Sequence, residues 1–215
     1  MSAIRFPKIC AKYIKLQCNN AFSDYVECPE LQPLLPILTE LNPKRVLELG
    51  AGIGRGSVYL QNNLPQVDAE FFLVDGDAGD TQVAGIHHEL KPDYYNSFDA
   101  AYAYCTANGI SHDRLHLVDA SKIELGDRMF DLCISIKAIG FHWPISGYLN
   151  SISKHMRTGS LLCFEVRNPD LYAESRHDRL EQHVSAQKDS VDLTQFKIIS
   201  HVTATKFHML ILAKT

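Results

Sequence analysis

The chain has 215 residues, 46% hydrophobic and 21% charged, which suits a single folded domain and is too apolar for general disorder. Lys plus Arg number 21 and Asp plus Glu 25, a formal net charge of −4 that argues against a dedicated nucleic-acid binder, since phosphate contacts call for a basic surface. No apolar run approaches the ~18 residues of a membrane span, and the N-terminus MSAIRFPKICAKYIKLQ mixes Lys and Arg without a continuous apolar stretch, so no secretory signal is expected.

Six cysteines, Cys10, Cys18, Cys28, Cys105, Cys133 and Cys163, form no CxxC pair and match no zinc spacing. Cys133 and Cys163 fall inside apolar runs, where cysteine acts as a small buried hydrophobe. The expectation is a reduced, cytoplasmic protein with no metal site.

In chain order, residues 1–43 are helix-like pieces interrupted by Pro29, Pro33 and Pro36, expected to form an N-terminal helical cap on a domain spanning 44–215. RVLELG (45–50) is a short buried strand ending at glycine. Residues 56–64 then read as a helix stopped by Pro65, and EFFLVD (70–75) as a second strand. After a polar stretch to Asn96, Ser97 is placed to cap a helix with Phe98, Ala101, Tyr102 and Cys105 on one face, ended by Asn108-Gly109. LHLVDA (115–120) and FDLCISI (130–136) are the third and fourth strands. Residues 145–156 are expected to be helical, Thr158-Gly159 to be a turn, and SLLCFEV (160–166) the fifth strand. A charged helix over about 169–187 precedes two closing strands, FKIISHVTA (196–204) and FHMLILAKT (207–215). Their link is too short for a parallel crossover, so they must run antiparallel. Unalternating apolar strands separated by helices predict an α/β fold: a mostly parallel seven-stranded sheet with an antiparallel last strand and helices on both faces.

The most informative segment is Glu48-Leu49-Gly50-Ala51-Gly52-Ile53-Gly54-Arg55-Gly56. Glycines directly after a strand permit a sharp turn and close backbone approach to a ligand. The dinucleotide fingerprint GxGxxG fails, because its sixth place holds Arg55 or Ser57. What stands here is ExGxGxG, and a carboxylate beside the ligand suits a cationic cofactor better than a pyrophosphate, favouring S-adenosylmethionine (SAM). Asp75, followed by Gly76, ends the second strand, where a carboxylate accepts hydrogen bonds from two ribose hydroxyls. Asp119 ends the third, with the Ala120 N–H beside it for an adenine.

With these motifs in this order the sequence resembles the class I SAM-dependent methyltransferases over roughly residues 44–215. The resemblance implies their Rossmann-like fold and a cofactor site at Glu48, Gly50, Ala51, Gly52, Gly54, Asp75, Gly76, Asp119, Ala120 and Ser135. FDLCISIKAIG matches the strand that leads into the acceptor site, which brings in Lys137. The following SIKAIGFHWPISGYL resembles the corresponding region of proteins assigned as sugar O-methyltransferases. That implies an acceptor site with His142 as base and Trp143 and Lys137 near the substrate; Tyr94, in the long polar stretch after Asp75, and Arg167, after the fifth strand, are placed by their positions to touch it. His142 is equally well read as a loop histidine holding a turn, and Trp143 as a core anchor. His87, His88 and Glu89 offer metal-type side chains, but adjacent helical residues diverge, so a solvated face is the simpler reading.

The partner expected is a small hydroxylated acceptor, a sugar by preference, with no membrane and with nucleic acid disfavoured by the acidic charge; a homo-oligomer stays open. A protein or RNA methyltransferase and a non-catalytic methyltransferase-like subunit are the alternatives.

Overall fold

The computed structural model describes residues 4–11, 26–64, 68–76, 97–138, 149, 151–165, 195–204 and 207–215. Seven strands form one sheet: β1 (Arg45–Leu49), β2 (Glu70–Asp75), β3 (Leu115–Asp119), β4 (Phe130–Ser135), β5 (Met156–Glu165), β6 (Phe196–Ala204) and β7 (Phe207–Lys214). Their spatial order is β3-β2-β1-β4-β5-β7-β6. β1 to β5 are parallel neighbours, while β7 runs antiparallel to both β5 and β6. The expected closing pair is present, and β7 enters the sheet between β5 and β6, leaving β6 at the edge.

Among the described residues three α-helices accompany the sheet: α1 (Leu35–Leu41), α2 (Arg55–Asn63) and α3 (Phe98–Ala107). Alternate strand residues feed two cores, one on each face. Val46, Phe71, Leu73, Leu132, Ile134, Leu161 and Cys163 pack under α2, α3 and the N-terminal segment. Leu47, Leu49, Phe72, Val74, Cys133, Leu162 and Phe164 pack on the other side with Leu149 and Ile152. Burial on both faces explains why the strands read as continuous apolar runs.

Local signals set most boundaries. The Ser97 hydroxyl accepts from the Ala100 N–H and starts α3, while Asn108 and Gly109 (φ +95°) end it. The buried stripe of α3 is Ala100, Ala101, Tyr104 and Cys105, which corrects the expected face: Tyr102 is 40% exposed. Tyr104 is drawn inward by Phe6, on which it stacks at 5.3 Å, and Asn108 clamps Arg5 by bonding both its N–H and its carbonyl. The segment before β1 is therefore bonded to the fold, with Cys10, Cys28, Leu31, Leu34 and Leu38 in the first core.

Two further expectations change around β5. Met156 is the first residue of β5, not the end of a helix, and a 3₁₀ turn at Ser153–His155 precedes it. Thr158 and Gly159 lie within β5, where the expected turn is a bulge: Phe130 pairs with Met156, but Leu132 pairs with Leu161. Gly159 takes φ +85°, which suits glycine at such an irregularity. The expected helix over 169–187 and the stop at Pro65 lie outside the described residues. The five described cysteines are free and buried. Among the described residues no helix is long and apolar enough to cross a membrane.

Candidate active site

The carboxyl ends of β1, β2, β3, β4 and β5 converge around the glycine segment, the edge at which open parallel sheets bind ligands. Gly50, Gly52 and Gly54 all take positive φ (62°, 55° and 87°). Protein neighbours add a second requirement at two of them. A Cβ on Gly50 would lie 2.1 Å from the Ala138 Cβ, and one on Gly54 2.5 Å from the Cys105 Sγ. The loop amides turn inward as well. Gly50 and Ala51 donate to the Val74 carbonyl, Gly52 to Asp75 and Gly54 to the Ala51 carbonyl. A phosphate-binding loop presents such amides to its ligand; this one uses them within the protein.

Glu48 completes that arrangement. Its carboxylate is buried at the start of α2, where Oε1 accepts from the Gly56 N–H at 3.0 Å and Oε2 from the Ser57 N–H at 2.8 Å and the Ser57 hydroxyl at 2.6 Å. The positive end of the helix dipole thus faces an internal anion. Desolvation raises Glu48 to about 7 against the pull of these hydrogen bonds. At 2% exposure Glu48, expected at the cofactor site, holds the loop and helix together. Ser135, also expected at the cofactor site, is fully buried with its hydroxyl donating to the Leu49 carbonyl.

Asp75 stands at the end of β2, its carboxylate accepting from the Gly52 N–H at 2.6 Å and from the Gly76 N–H at 2.7 Å. Each bond engages a different oxygen, so a lone-pair direction remains on each for two further donors such as vicinal hydroxyls. Burial raises this carboxyl to about 6, opposed by the two amides. Asp119 is the direct register partner of Asp75 on β3, and Ala120 opens the 3₁₀ turn that follows. The two acids expected to face a nucleoside are therefore side by side.

A charged cluster that the sequence did not reveal joins this edge. Glu30, only 2% exposed, forms a two-point ion pair with Arg55, at 3.1 and 2.9 Å, and a second pair with Lys137 at 3.3 Å. These opposite charges hold Glu30 below the usual carboxylate range despite its burial. Lys137, expected near the substrate, is thus engaged with Glu30, and it takes φ +57° where the chain leaves β4. Glu165, at the end of β5, belongs to the same cluster and accepts a hydrogen bond from the Lys137 N–H. Nothing local marked Glu30, because its partners lie 25 or more positions away in the chain. Arg55 had one usable signal, a cation inside the glycine loop itself.

His142, Trp143, Tyr94 and Arg167 lie outside the described residues, as do His87, His88 and Glu89. Among the described residues no group of three or more His, Cys, Asp or Glu is placed to hold a metal ion.

No protein-family model matches the chain, and no curated protein matches it. Solved structures do. A candidate O-methyltransferase from Klebsiella pneumoniae is 19% identical with a TM-score of 0.60, covering 99% of this chain and 92% of that one. TomG of Streptomyces achromogenes, an O-methyltransferase involved in tomaymycin synthesis and solved with SAM, is 14% identical with a TM-score of 0.58, covering 100% and 93%. The ribosomal protein L11 methylase of Lactobacillus delbrueckii subsp. bulgaricus is 14% identical with a TM-score of 0.51, covering 85% and 79%. The chain has the Rossmann-like fold of the class I SAM-dependent methyltransferases. With 603 solved chains matching it, that fold by itself does not select an acceptor.

Proposed function

We propose that this chain is a SAM-dependent methyltransferase acting on a hydroxyl group of a small acceptor. The observation that carries the reading is Glu48, a carboxylate of β1 bonded to the first turn of α2 in the place where a dinucleotide enzyme would seat its pyrophosphate. A phosphate brought there would meet a carboxylate; a cofactor carrying an ammonium and a sulfonium would not be repelled.

The residues present fit SAM. Asp75 would accept from the ribose hydroxyls through its remaining lone pairs, held in place by Gly52 and Gly76. Asp119 and the Ala120 backbone would take the adenine, and the tightly folded backbone of residues 50–54 would pack against the cofactor without a side chain between. When bound, SAM supplies an electrophilic methyl group. The chain's task is then to hold the acceptor oxygen in line with it and exclude water. His142, Trp143, Tyr94 and Arg167 enter the acceptor side by their sequence positions. We take a sugar or sugar-bearing metabolite as the acceptor, which the FHWP segment at 141–144 supports.

Calorimetric titration with SAM and with NAD tests the cofactor. SAM is expected to bind and NAD not to, with Asp75→Ala weakening SAM by about tenfold, the loss of hydrogen bonds to a charged group. NAD binding without SAM binding would overturn the reading. Transfer of labelled methyl to a panel of sugars, set against tRNA and ribosomal proteins, tests the acceptor class.

A further inference from the structure

Beside the glycine loop lies a carboxyl group that the cofactor reading leaves unused. Glu165 ends β5 and is 1% exposed. Leu161 and Cys163, in phase with it on the strand, belong to the core under α2 and the N-terminal segment, so its side chain projects to that face. The Lys137 N–H donates to its carboxylate. Oε2 is buried with no hydrogen-bond partner among the described residues. The neighbouring residue Ala138 lies against Gly50, which puts the Lys137–Glu165 contact directly beside the cofactor loop.

The charged groups facing Glu165 are Glu30 from the N-terminal segment, Arg55 from α2 and Lys137 from the β4 exit; its register partner on β7 is the apolar Met209. Lys137 is half-exposed, so the cluster has an edge at water. A buried carboxylate oxygen without a donor is rare in a folded core and calls for an occupant.

We infer that Glu165 is the acceptor-side carboxylate, whose Oε2 receives the proton of the hydroxyl to be methylated. The inference rests on the methyltransferase reading above. The acceptor oxygen bonds the methyl carbon as the carbon–sulfur bond breaks, its electron pair staying on sulfur. The hydroxyl proton passes to Glu165, so the sulfonium and carboxylate charges vanish together. Lys137 is a positioning residue, tying down one side of the carboxylate through its N–H. Burial and Glu30 raise Glu165 to about 7, opposed by Lys137 and Arg55, which places it where a base working near neutral pH is most effective.

SAM and S-adenosylhomocysteine differ by one positive charge at the sulfur, which provides a test needing no known acceptor. The full chain, labelled with ¹³C at glutamate carboxyls, is titrated by NMR in each complex. Glu165→Gln assigns the signal, and Glu165→Asp does so if the glutamine variant does not fold. With Glu165 near the reacting centre, its proton affinity is expected to be lower by about fivefold or more in the SAM complex. His142→Ala should leave that difference in place. Identical titrations of Glu165 in the two complexes overturn the inference while leaving the cofactor reading intact. Absence of SAM binding by calorimetry overturns both.

Discussion

Asp75 at the end of β2 and Gly52 in the turn after β1 are joined by a 2.6 Å hydrogen bond in which the Gly52 N–H donates to Oδ2. One carboxylate therefore holds the shape of the cofactor loop and keeps lone pairs for a ligand. Its protonation should affect both roles. Asp75 titrates near 6, so it is ionised at pH 8 and protonated at pH 5. SAM affinity is expected to fall by about tenfold over that interval, the value of one charge-assisted hydrogen bond. Calorimetry at several pH values measures this, and Asp75→Asn should bind weakly with little pH dependence.

Stability should depend on pH in the opposite sense. Glu48, Asp75 and Glu165 are raised to about 7, 6 and 7. A carboxyl whose folded pKa is raised binds protons more tightly in the folded state. Its contribution is fully present below the unfolded pKa of about 4 and is lost as pH rises through the folded value. The melting temperature of the unliganded protein should therefore decline from pH 5 to pH 8. Glu48→Ala should melt lower throughout, since two buried amides lose their acceptor, and with a shallower pH slope. An unchanged slope in that variant would show that Glu48 does not titrate in this range.

Gly50 is required by both conformation and space. Gly50→Ala would put a Cβ 2.1 Å from that of Ala138 at φ +62°, neither of which a small side-chain motion relieves. A loss of more than about 2 kcal/mol in urea denaturation is expected, because overpacking and backbone strain add.

The buried pair of Glu30 and Arg55 makes a prediction about partners. Arg55→Ala leaves Glu30 buried with Lys137 as its remaining cation and should destabilise by about 3 kcal/mol. Glu30→Gln combined with Arg55→Ala should recover part of that loss, since Glu30 is then no longer a buried charge short of its main partner. A double-mutant cycle by chemical denaturation decides it, and additive losses would rule out the coupling.

Ser135 offers a check on the extent of the cofactor site. Its hydroxyl donates to the Leu49 carbonyl from a fully buried position, so Ser135→Ala should cost about 1 kcal/mol of stability and leave SAM affinity unchanged. A fall in SAM affinity would make Ser135 a cofactor contact.

The strands and their punctuation were legible because their causes are local. A run such as EFFLVD specifies a strand buried on both faces wherever it sits, Ser97 and Asn108-Gly109 bracket α3 with their own atoms, and the short link before Phe207 forces antiparallel pairing. The motif order from Glu48 through Asp75 to Asp119 placed the acids at strand ends for the same reason, since each follows directly from the strand that carries it. The exposed side of α3 was misread at Tyr102 because the partner that buries Tyr104 instead is Phe6, far away in the chain.

What the amino-acid sequence determined alone is thus the parallel sheet, its antiparallel closing strand and the candidate cofactor loop. Tertiary structure decided the partners of the charged groups around that loop. The start of α2 folds back onto Glu48, and Glu30 arrives from the N-terminal segment to pair with Lys137. Electrostatic partnership depends on distance in space, which is how two amides and a hydroxyl come to close around one carboxylate. The same dependence singles out Glu165, ordinary in sequence, as a buried carboxyl with an oxygen left for a donor.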